Sequence, residues 1–526
     1  MDLSRKRVLV VDDHPGMRNS LRRALEVCGI KGAHAVTNAH EAVARLRNMR
    51  YDIVLADFDL GPGPDGQQLL EFCRTEQLLA ATAVFIMVTA ERGYDKVMCA
   101  AEFAPDDYLV KPFTEETLRL RLVRALNRSQ SLAAARDLKA SGRHDQLVVL
   151  CDRLSANEPR FALELARMKG DALLALERFA EAREVFERVL QLRPLPWARL
   201  GRARAHAGMG EVEQARIGLT ELLADAPEFL AAYDALSSLH GQCRNDDDAK
   251  AVLKMALEVS PNSVRRHKTI GEIALRNKDL ETAERAFGTV VRKNRHAFVR
   301  AADDHLTLSR IYMQRDKFAQ ALETLSDAKR TFAGEAAVKA SACVVESLIH
   351  SRAKNPREAR RALDEALAAA KKSETPLDDA IALELAQACY LQNREHEAAE
   401  LVRQVVSNNH DDDGVLAEVR NMFARLDREE QGETLIERSV NDAVSINNEG
   451  VARAKSGDLE GAIELLEEAA RTMPDNAHIV MNAAHSLITH MQLHGVQEDK
   501  QERVLAYLQR VRGRNPDHPK YLQVSA

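Results

Sequence analysis

Short apolar runs alternate with segments of helical periodicity over the first 130 residues. The apolar runs lie at 7–13, 33–36, 52–57, 84–89 and 107–110. Apolar residues recur at helical spacing near 16–28, 39–49, 66–76, 93–103 and 115–130. The first, third and fourth runs are apolar on both faces, which is typical of strands buried inside a parallel sheet. The pattern therefore predicts an α/β doubly wound, five-stranded parallel sheet with helices on both faces.

Polar residues follow the ends of four of these predicted strands. Asp12 and Asp13 end the first strand and Asp57 ends the third, while Thr89 ends the fourth and Lys111 follows the fifth. In open α/β sheets, ligands bind outside the carboxyl ends of the strands. We therefore expect three carboxylates, a hydroxyl and an ammonium group to meet at one edge of the sheet.

This set of side chains suits phosphoryl chemistry. Clustered carboxylates repel one another unless a cation offsets them, and a site rich in oxygen ligands suits Mg²⁺. A magnesium ion, a lysine and a hydroxyl together can hold a phosphoryl group. The central carboxylate, Asp57, can then act as the nucleophile and form an aspartyl phosphate.

In identity and order, these residues resemble the receiver domain of two-component response regulators, which has a flavodoxin-like fold. The resemblance covers residues 1–128. It implies that Asp57 accepts a phosphoryl group from a histidine kinase or a phosphotransfer protein. It also implies a magnesium site in which Asp13 binds the ion directly and Asp12 largely through water. Asp57 itself and the backbone carbonyl of Asp59 would be further ligands.

The same resemblance assigns the remaining positions. Thr89 would bond the phosphoryl oxygens, and Lys111, in the stretch VKPF, would pair with them. Thr89 and Tyr108 would form the switch that responds to phosphorylation. The Lys111–Pro112 peptide bond would be cis.

Beyond the receiver-like region the chain becomes repetitive. Alanines fall at 182, 215, 249 and 283, in steps of 33, 34 and 34, and prolines at 194, 227 and 261. Less regular units follow around Ala321, Ala359 and Ala398, and a clear one returns with Ala462, Leu466 and Pro474. Small residues allow helices to approach closely, while Phe186 or Leu466 fills the space between them. The pattern predicts stacked helical hairpins.

These units resemble the tetratricopeptide repeat. The resemblance implies an all-α solenoid over residues 161–526, with about nine or ten units, some of them degenerate. A helical linker at 129–160 would join it to the receiver at 1–128. The stretch 408–445 is poorly repetitive, and we expect it to interrupt the stack. Trp197, the only tryptophan, is expected to pack in the second repeat.

Repeat solenoids bind proteins along their concave face, which the first helix of each unit lines. The template places a mixed set of charges on that face. These are Arg167, Asp171, Arg204, Asp234, Lys268 and Glu272. The sequence does not identify the protein partner that such a surface would bind.

Composition and charge limit the partners and the cellular compartment that we expect for this protein. The net charge is −6 and the pI near 6.3, so no basic field points to nucleic acid or to an anionic membrane. The 7 cysteines show no CxxC spacing, and reduced thiols in a cytoplasmic protein are expected. No apolar stretch approaches the roughly 20 residues that span a bilayer, and MDLSRKRVLVVDDH reads as a strand rather than a signal peptide.

Three functions are compatible with the sequence. The favoured one is a signalling adaptor, in which the receiver controls the protein interactions of the solenoid. Its only enzymatic activity would be magnesium-dependent transfer of phosphate to its own Asp57 and autodephosphorylation. A transcription regulator that acts on DNA is the second, although no helix-turn-helix segment with a basic recognition helix follows the receiver. The third is an aspartate-nucleophile phosphatase, because DFDLG at 57–61 matches a DxD nucleophile motif. The oligomeric state, and whether it depends on phosphorylation, stays open.

Overall fold

The computed structural model describes residues 2–90, 105–261, 263–295, 298, 300–372, 377–514, 520, 521 and 524. The chain divides into two compact units, Met1–Ala301 and Ala302–Ala526. The helix expected at 93–103 lies outside the described residues. In the part of the chain that is described, no helix is long and apolar enough to cross a membrane.

The first unit begins with a five-stranded sheet. Its strands are β1 Arg7–Val11, β2 Gly32–Val36, β3 Ile53–Asp57, β4 Val84–Thr89 and β5 Asp107–Val110. All neighbours pair in parallel in the order β2-β1-β3-β4-β5. The predicted doubly wound sheet is confirmed. Because the strands run in parallel, their carboxyl ends share one edge.

Helices cover both faces of this sheet. They are α1 Pro15–Val27, α2 Ala39–Asn48, α3 Gly66–Thr75 and α4 Glu115–Ala140. Apolar residues of α1 and α4 pack on one face of the sheet, and those of α2 and α3 pack on the other. Burial on both faces explains why the central strands read as continuous apolar runs.

Helix α4 belongs to two hydrophobic cores. Leu122 and Leu126 pack in the receiver core, whereas Leu132 and Ala135 pack with the helices that follow. The helix runs for 26 residues and continues past residue 130 into the region expected to be a helical linker. No glycine or proline interrupts it before Gly142, so nothing in the local sequence ends it earlier.

Helical hairpins make up the rest of the first unit. Their helices are α5 His144–Asn157, α6 Ala162–Ala175, α7 Phe179–Leu192, α8 Pro196–Gly208, α9 Val212–Asp225, α10 Leu230–Gln242, α11 Asp246–Val259, α12 Val264–Arg276 and α13 Leu280–Asn294. A short 3₁₀ turn at Pro159–Phe161 separates α5 from α6. Trp197 packs between the cores of neighbouring hairpins, as expected.

The second unit continues with the same kind of element. Its helices are α14 Ala302–Gln314, α15 Phe318–Thr331, α16 Ala336–Arg352, α17 Pro356–Lys372, α18 Asp379–Leu391, α19 Glu395–Asn408, α20 Asp413–Arg425, α21 Glu429–Ser456, α22 Leu459–Thr472, α23 Ala477–His494 and α24 Glu498–Arg514. The predicted helical solenoid is confirmed.

In ten of the described hairpins, one residue of the turn has a positive φ. In the first unit these are Gly142, Glu177, Gly210, Arg244 and Lys278, and in the second Asp316, Lys354, Asn393, Asp427 and Gly457. The spacing repeats the period of the template alanines. Gly142 stands 35 residues before Glu177, so the hairpin of α4 and α5 turns in the same way as the repeats. The second half of α4 therefore serves as the first helix of a repeat-like pair.

The alanines that defined the repeat are buried. Ala182, Ala215, Ala249, Ala283, Ala321, Ala359, Ala398 and Ala462 all have 0% exposed surface. The Phe186 ring lies against Gly201, where a Cβ atom would be 2.3 Å from the ring. Small residues thus permit the close approach that the sequence predicted.

The expected interruption at 408–445 is wrong. Val419 and Phe423 of α20 and Ile436 of α21 pack in the same core as the preceding hairpins. The irregularity is a missing turn: α21 runs for 28 residues and serves two hairpins in succession. The repeat pattern weakens there because a continuous helix needs no turn residues.

Candidate functional site

The carboxyl ends of four strands bring the predicted residues to one edge of the sheet. Asp12 follows β1, Asp57 is the last residue of β3 and Thr89 is the last residue of β4. Lys111 follows β5, and its backbone N–H donates to the Thr89 carbonyl over 2.7 Å. Parallel register alone places these residues side by side, with Asp57 opposite Val88.

A single ammonium group joins two of the carboxylates. Lys111 Nζ lies 2.7 Å from Asp57 Oδ2 and 3.2 Å from Asp12 Oδ2. The Asp12 side chain is fully buried, and those of Asp57 and Lys111 are mostly buried. Burial strengthens such charge-assisted hydrogen bonds, because less water competes for them.

Burial and the contact between Lys111 and Asp57 shift the pKa of each of these two groups in opposite directions. Burial raises the pKa of Asp57, and the nearby Asp12 carboxylate adds to the rise, while the Lys111 ammonium opposes both. For Lys111, burial lowers the pKa, but the hydrogen bonds and charges of Asp57 and Asp12 outweigh it, so its pKa is raised. The ammonium group therefore stays charged in the site.

A cluster of acidic side chains lies next to the Lys111–Asp57 pair. Ligand atoms of Asp12, Asp13 and His14 all lie within 4.8 Å of one another. Four carboxylates, those of Asp12, Asp13, Asp57 and Asp59, and two cations, Lys111 and Arg18, are among the described residues of this edge. These six groups together carry an excess of two negative charges. Carboxylate oxygens in such an arrangement are the ligands that Mg²⁺ prefers.

Arg18 supports the acidic pair, although the sequence did not single it out. Its Nη1 donates to the backbone carbonyls of Asp12, over 2.7 Å, and of Asp13, over 2.8 Å. An arginine on the first turns of a helix is usually solvated. Only the tertiary structure shows that this one turns back to the loop after β1.

Gly66 is a second residue of this site that no sequence motif indicated. A Cβ atom at this position would lie 2.2 Å from the Asp57 carbonyl oxygen and 3.0 Å from Met87 Sδ. Its N–H also donates to the Phe58 carbonyl over 2.8 Å. The first residue of α3 is thus in direct contact with the strand end that carries Asp57.

The predicted switch residues occupy neighbouring strands. Thr89 is 4% exposed, and Tyr108 is partly buried on the core layer beneath α2 and α3. Tyr108 stands opposite Met87 of β4 in the register. The Lys111–Pro112 peptide bond is cis, as the resemblance implied. Asp59 lies in the exposed loop after β3, where its side chain accepts from the Gly61 N–H.

The opposite end of β5 is anchored to α4. Asp106 is buried and accepts from Arg74 of α3 over 2.9 Å and from Arg136 of α4 over 2.7 Å. Its carboxylate also accepts from the Phe85 N–H. Arg128 of α4 donates to the Asp106 carbonyl, and its Nε pairs with Glu164 of the first repeat. The strand that leads to Lys111 is therefore tied to the repeat region.

The predicted groove charges are partly engaged in internal contacts. Asp234 and Glu272 line a groove of about 630 Å³ beside α10 and α12, but Asp234 forms a bidentate pair with Arg266. Asp171 pairs with Lys139 of α4. The Arg167 guanidinium lies 5.9 Å from the Trp197 ring. Only part of this predicted surface is open to a ligand.

Comparisons with known proteins agree with both halves of this description. A family model of the response regulator receiver domain matches residues 8–123. Two tetratricopeptide repeat models match residues 173–239 and 346–413.

Individual relatives resemble the first part of the chain. The chemotaxis protein CheY-3 of Vibrio cholerae serotype O1 is 30% identical over 122 residues, which are 23% of this chain and 92% of that protein. The chemotaxis protein CheY of Pseudomonas aeruginosa is also 30% identical over 122 residues, 97% of its length. The solved structure of the response regulator TrrA from Thermotoga maritima, in complex with Mg²⁺-BeF, is 30% identical. It covers 23% of this chain and 99% of that one, with a TM-score of 0.21.

The strand order, the residues at the strand ends and the match to relatives over nearly their whole length point to the same conclusion. This chain belongs to the response-regulator family, with an N-terminal receiver domain and tetratricopeptide repeats in its C-terminal region.

Proposed function

We propose that this chain is a phosphorylation-dependent signalling adaptor. The receiver at 1–128 takes a phosphoryl group on Asp57 from a histidine kinase or a phosphotransfer protein. The repeats at 161–526 bind a protein partner, and 129–160 connects the two. The observation that carries the proposal is the Lys111 ammonium held 2.7 Å from the Asp57 carboxylate at an acidic edge.

The residues present can divide the work of phosphoryl transfer. A carboxylate oxygen of Asp57 attacks the phosphorus of the donor, forming an O–P bond as the bond to the donor atom breaks. Lys111, already bonded to that carboxylate, neutralises charge that develops on the phosphoryl oxygens. The Thr89 hydroxyl donates to one of those oxygens. Hydrolysis of the same acyl phosphate returns the carboxylate.

The donor set fits Mg²⁺. The ligands would be the carboxylates of Asp12, Asp13 and Asp57 and the backbone carbonyl of Asp59, all of them oxygen atoms. When bound, the ion supplies charge neutralisation for the incoming phosphoryl group. Arg18 holds the carbonyls of Asp12 and Asp13 and so fixes the loop that carries both carboxylates.

The conformational change caused by phosphorylation would pass from the site along β5. Thr89 moves toward the phosphoryl group and Tyr108 fills the space that Thr89 leaves. β5 is tied through Asp106 to α4, and α4 packs in the first repeat core. Phosphorylation would thus change how the repeats are presented to a protein partner.

The first test is modification by acetyl phosphate and Mg²⁺. Intact-mass analysis should show one added phosphoryl group on the wild-type chain and none on Asp57→Asn. The matched control is Asp52→Asn, just before the same strand, where the carboxylate pairs with Lys6 far from Lys111. Full modification of Asp57→Asn would contradict the assignment.

The adaptor role is tested by capture of partner proteins with and without beryllofluoride and Mg²⁺. A partner whose retention changes with beryllofluoride in the wild type, and not in Asp57→Asn, supports regulated binding. Salt-dependent retention on duplex DNA would favour a transcription regulator instead. Turnover of a phosphomonoester that Asp57→Asn abolishes would favour a phosphatase.

A further inference from the structure

One aromatic side chain from beyond the fourth repeat lies on the receiver. Phe298 follows α13 and stacks on Phe72 of α3, with ring centroids 4.5 Å apart and planes 26° apart. It also meets the His40 ring of α2 edge-on, at 5.1 Å. Phe298 thereby packs against the core layer beneath α2 and α3. All three residues belong to the first unit.

The surface that receives Phe298 has an apolar centre and a polar rim. We call it the α2–α3 face and define it by His40, Arg47 and Phe72. Phe72 is half-buried, while His40 and Arg47 are exposed. The Arg47 guanidinium lies 6.0 Å from the centre of the Phe72 ring. An aromatic ring suits such a face, because it covers Phe72 and leaves the polar groups in water.

Among the described residues, the receiver contacts the repeats at two places of different strength. The first is α4, whose side chains fill two cores and whose Arg136 pairs with the buried Asp106. The second is the half-buried Phe298 ring, which contacts the rings of Phe72 and His40. An aromatic pair changes an equilibrium constant by about 2- to 12-fold. The second attachment can therefore open while both folded parts stay intact.

The weaker attachment is physically connected to Asp57. Gly66, the first residue of α3, leaves no room for a Cβ atom against the Asp57 carbonyl. Helix α3 is only ten residues long and carries Phe72 two turns further on. A phosphoryl group on Asp57 adds negative charge and bulk beside Lys111 Nζ, which now lies 2.7 Å from the carboxylate. We expect the strand end to adjust to this group, and a shift of α3 that follows would alter the ring stack.

We propose that the α2–α3 face is an intramolecular docking surface for Phe298, and that phosphorylation of Asp57 releases it. In the unphosphorylated chain, the docked ring gives the receiver a second contact with the repeat region, in addition to the contact through α4. Release frees the end of the fourth repeat from the receiver. The docking stands on the ring contacts alone, whereas its release by phosphorylation rests on the proposed function.

The docking is tested by hydrogen exchange on the full chain. Phe298→Ala should speed exchange of α2 and of the last turn of α3 by about 2- to 12-fold, and leave β1 unchanged. The matched control is Leu192→Ala, which removes an apolar side chain that is 77% exposed elsewhere in the same repeats. Equal exchange of α2 and α3 in the wild type and in Phe298→Ala would overturn the docking.

A substitution of Phe72 tests the same contact from the receiver side. Phe72→Ala should increase the rate of tryptic cleavage after Arg295 and Arg300, which flank Phe298 and are exposed. The same rate of cleavage as in the wild type would also count against docking.

The release is tested by adding beryllofluoride and Mg²⁺. Exchange of α2 in the wild type should rise to the level of Phe298→Ala, and that variant should show no further rise. Protection around Asp57 without any change in α2 would overturn the release. If beryllofluoride changes nothing around Asp57, the proposed function and the release fail together, and the Phe298→Ala comparison still decides the docking.

Discussion

At the scale of single residues, close packing of the backbone positions the site at the carboxyl ends of the strands as much as charge does. Lys111 bridges Asp57 and Asp12, and Arg18 holds the loop between β1 and α1. Gly66 lets α3 begin directly against Asp57. The position of Asp57 thus depends on a residue without a side chain.

Gly66→Ala should disturb both stability and phosphorylation. The added Cβ would lie 2.2 Å from a backbone oxygen, which cannot move without shifting β3 or α3. We expect a loss of about 1–3 kcal/mol in the stability of the sheet, measured by hydrogen exchange of β3, and slower phosphorylation of Asp57 by acetyl phosphate.

Gly16→Ala is the matched control for that substitution. Gly16 lies near the start of α1, and a Cβ atom there would meet nothing within 4 Å. Alanine is the better helix former, so no loss of stability is expected. Equal behaviour of the two variants would contradict the steric argument at Gly66.

At the scale of elements, α4 is the part that joins receiver and repeats. Its first turns pack under β4 and β5, and its last turns act as the first helix of a repeat-like hairpin. The buried Asp106 links this helix to α3 and to the start of β5. Because the helix packs in both cores, we expect a displacement in the receiver to reach the first repeat through it.

Asp106→Asn should weaken the contact between the receiver and the second half of α4. Removal of one partner of a buried ion pair costs about 3–5 kcal/mol, and the lower end applies because Arg74 and Arg136 retain some exposure. Hydrogen exchange of residues 129–140 should therefore accelerate strongly. The comparison variant is Asp107→Asn, whose partner Arg121 is 41% exposed and whose loss should cost less than about 1 kcal/mol. Equal effects of the two substitutions would refute the role of Asp106.

At the scale of the whole molecule, the chain is a receiver followed by a series of stacked hairpins. Each hairpin buries its apolar face against its neighbours, so the end of the series needs a partner. In the first unit, α4 and α5 supply that partner for α6. Leu132, Leu147 and Cys151 are buried in the same core as Leu165 of α6.

Truncation should reveal this dependence. A fragment of residues 161–526 loses α4 and α5 and leaves one side of α6 exposed, whereas a fragment of residues 129–526 keeps both. Each buried leucine contributes about 1.5–3 kcal/mol, so exchange of α6 should be at least about tenfold faster in the shorter fragment. Circular dichroism should find both fragments helical. Identical protection of α6 in the two would show that the first repeat needs no neighbour.

The sequence alone determined the strands and the repeat, and it predicted which residues meet at the edge of the sheet. Apolar runs buried on both faces fixed β1, β3 and β4, and the residues at their ends followed from parallel pairing. The period of Ala182, Ala215 and their equivalents fixed the hairpins, because close helix packing demands a small residue at each such point.

Only the tertiary structure decided which distant residues meet. The pairing of Asp106 with Arg74 and Arg136, the approach of Arg18 to the acidic loop and the stacking of Phe298 on Phe72 join positions far apart in the chain. The extra length of α4 and the uninterrupted α21 were likewise decided by packing, since a helix end with no breaker in its sequence is set by what the helix lies against. Local periodicity reports the face that an element buries, and it carries no information about the partner on the other side.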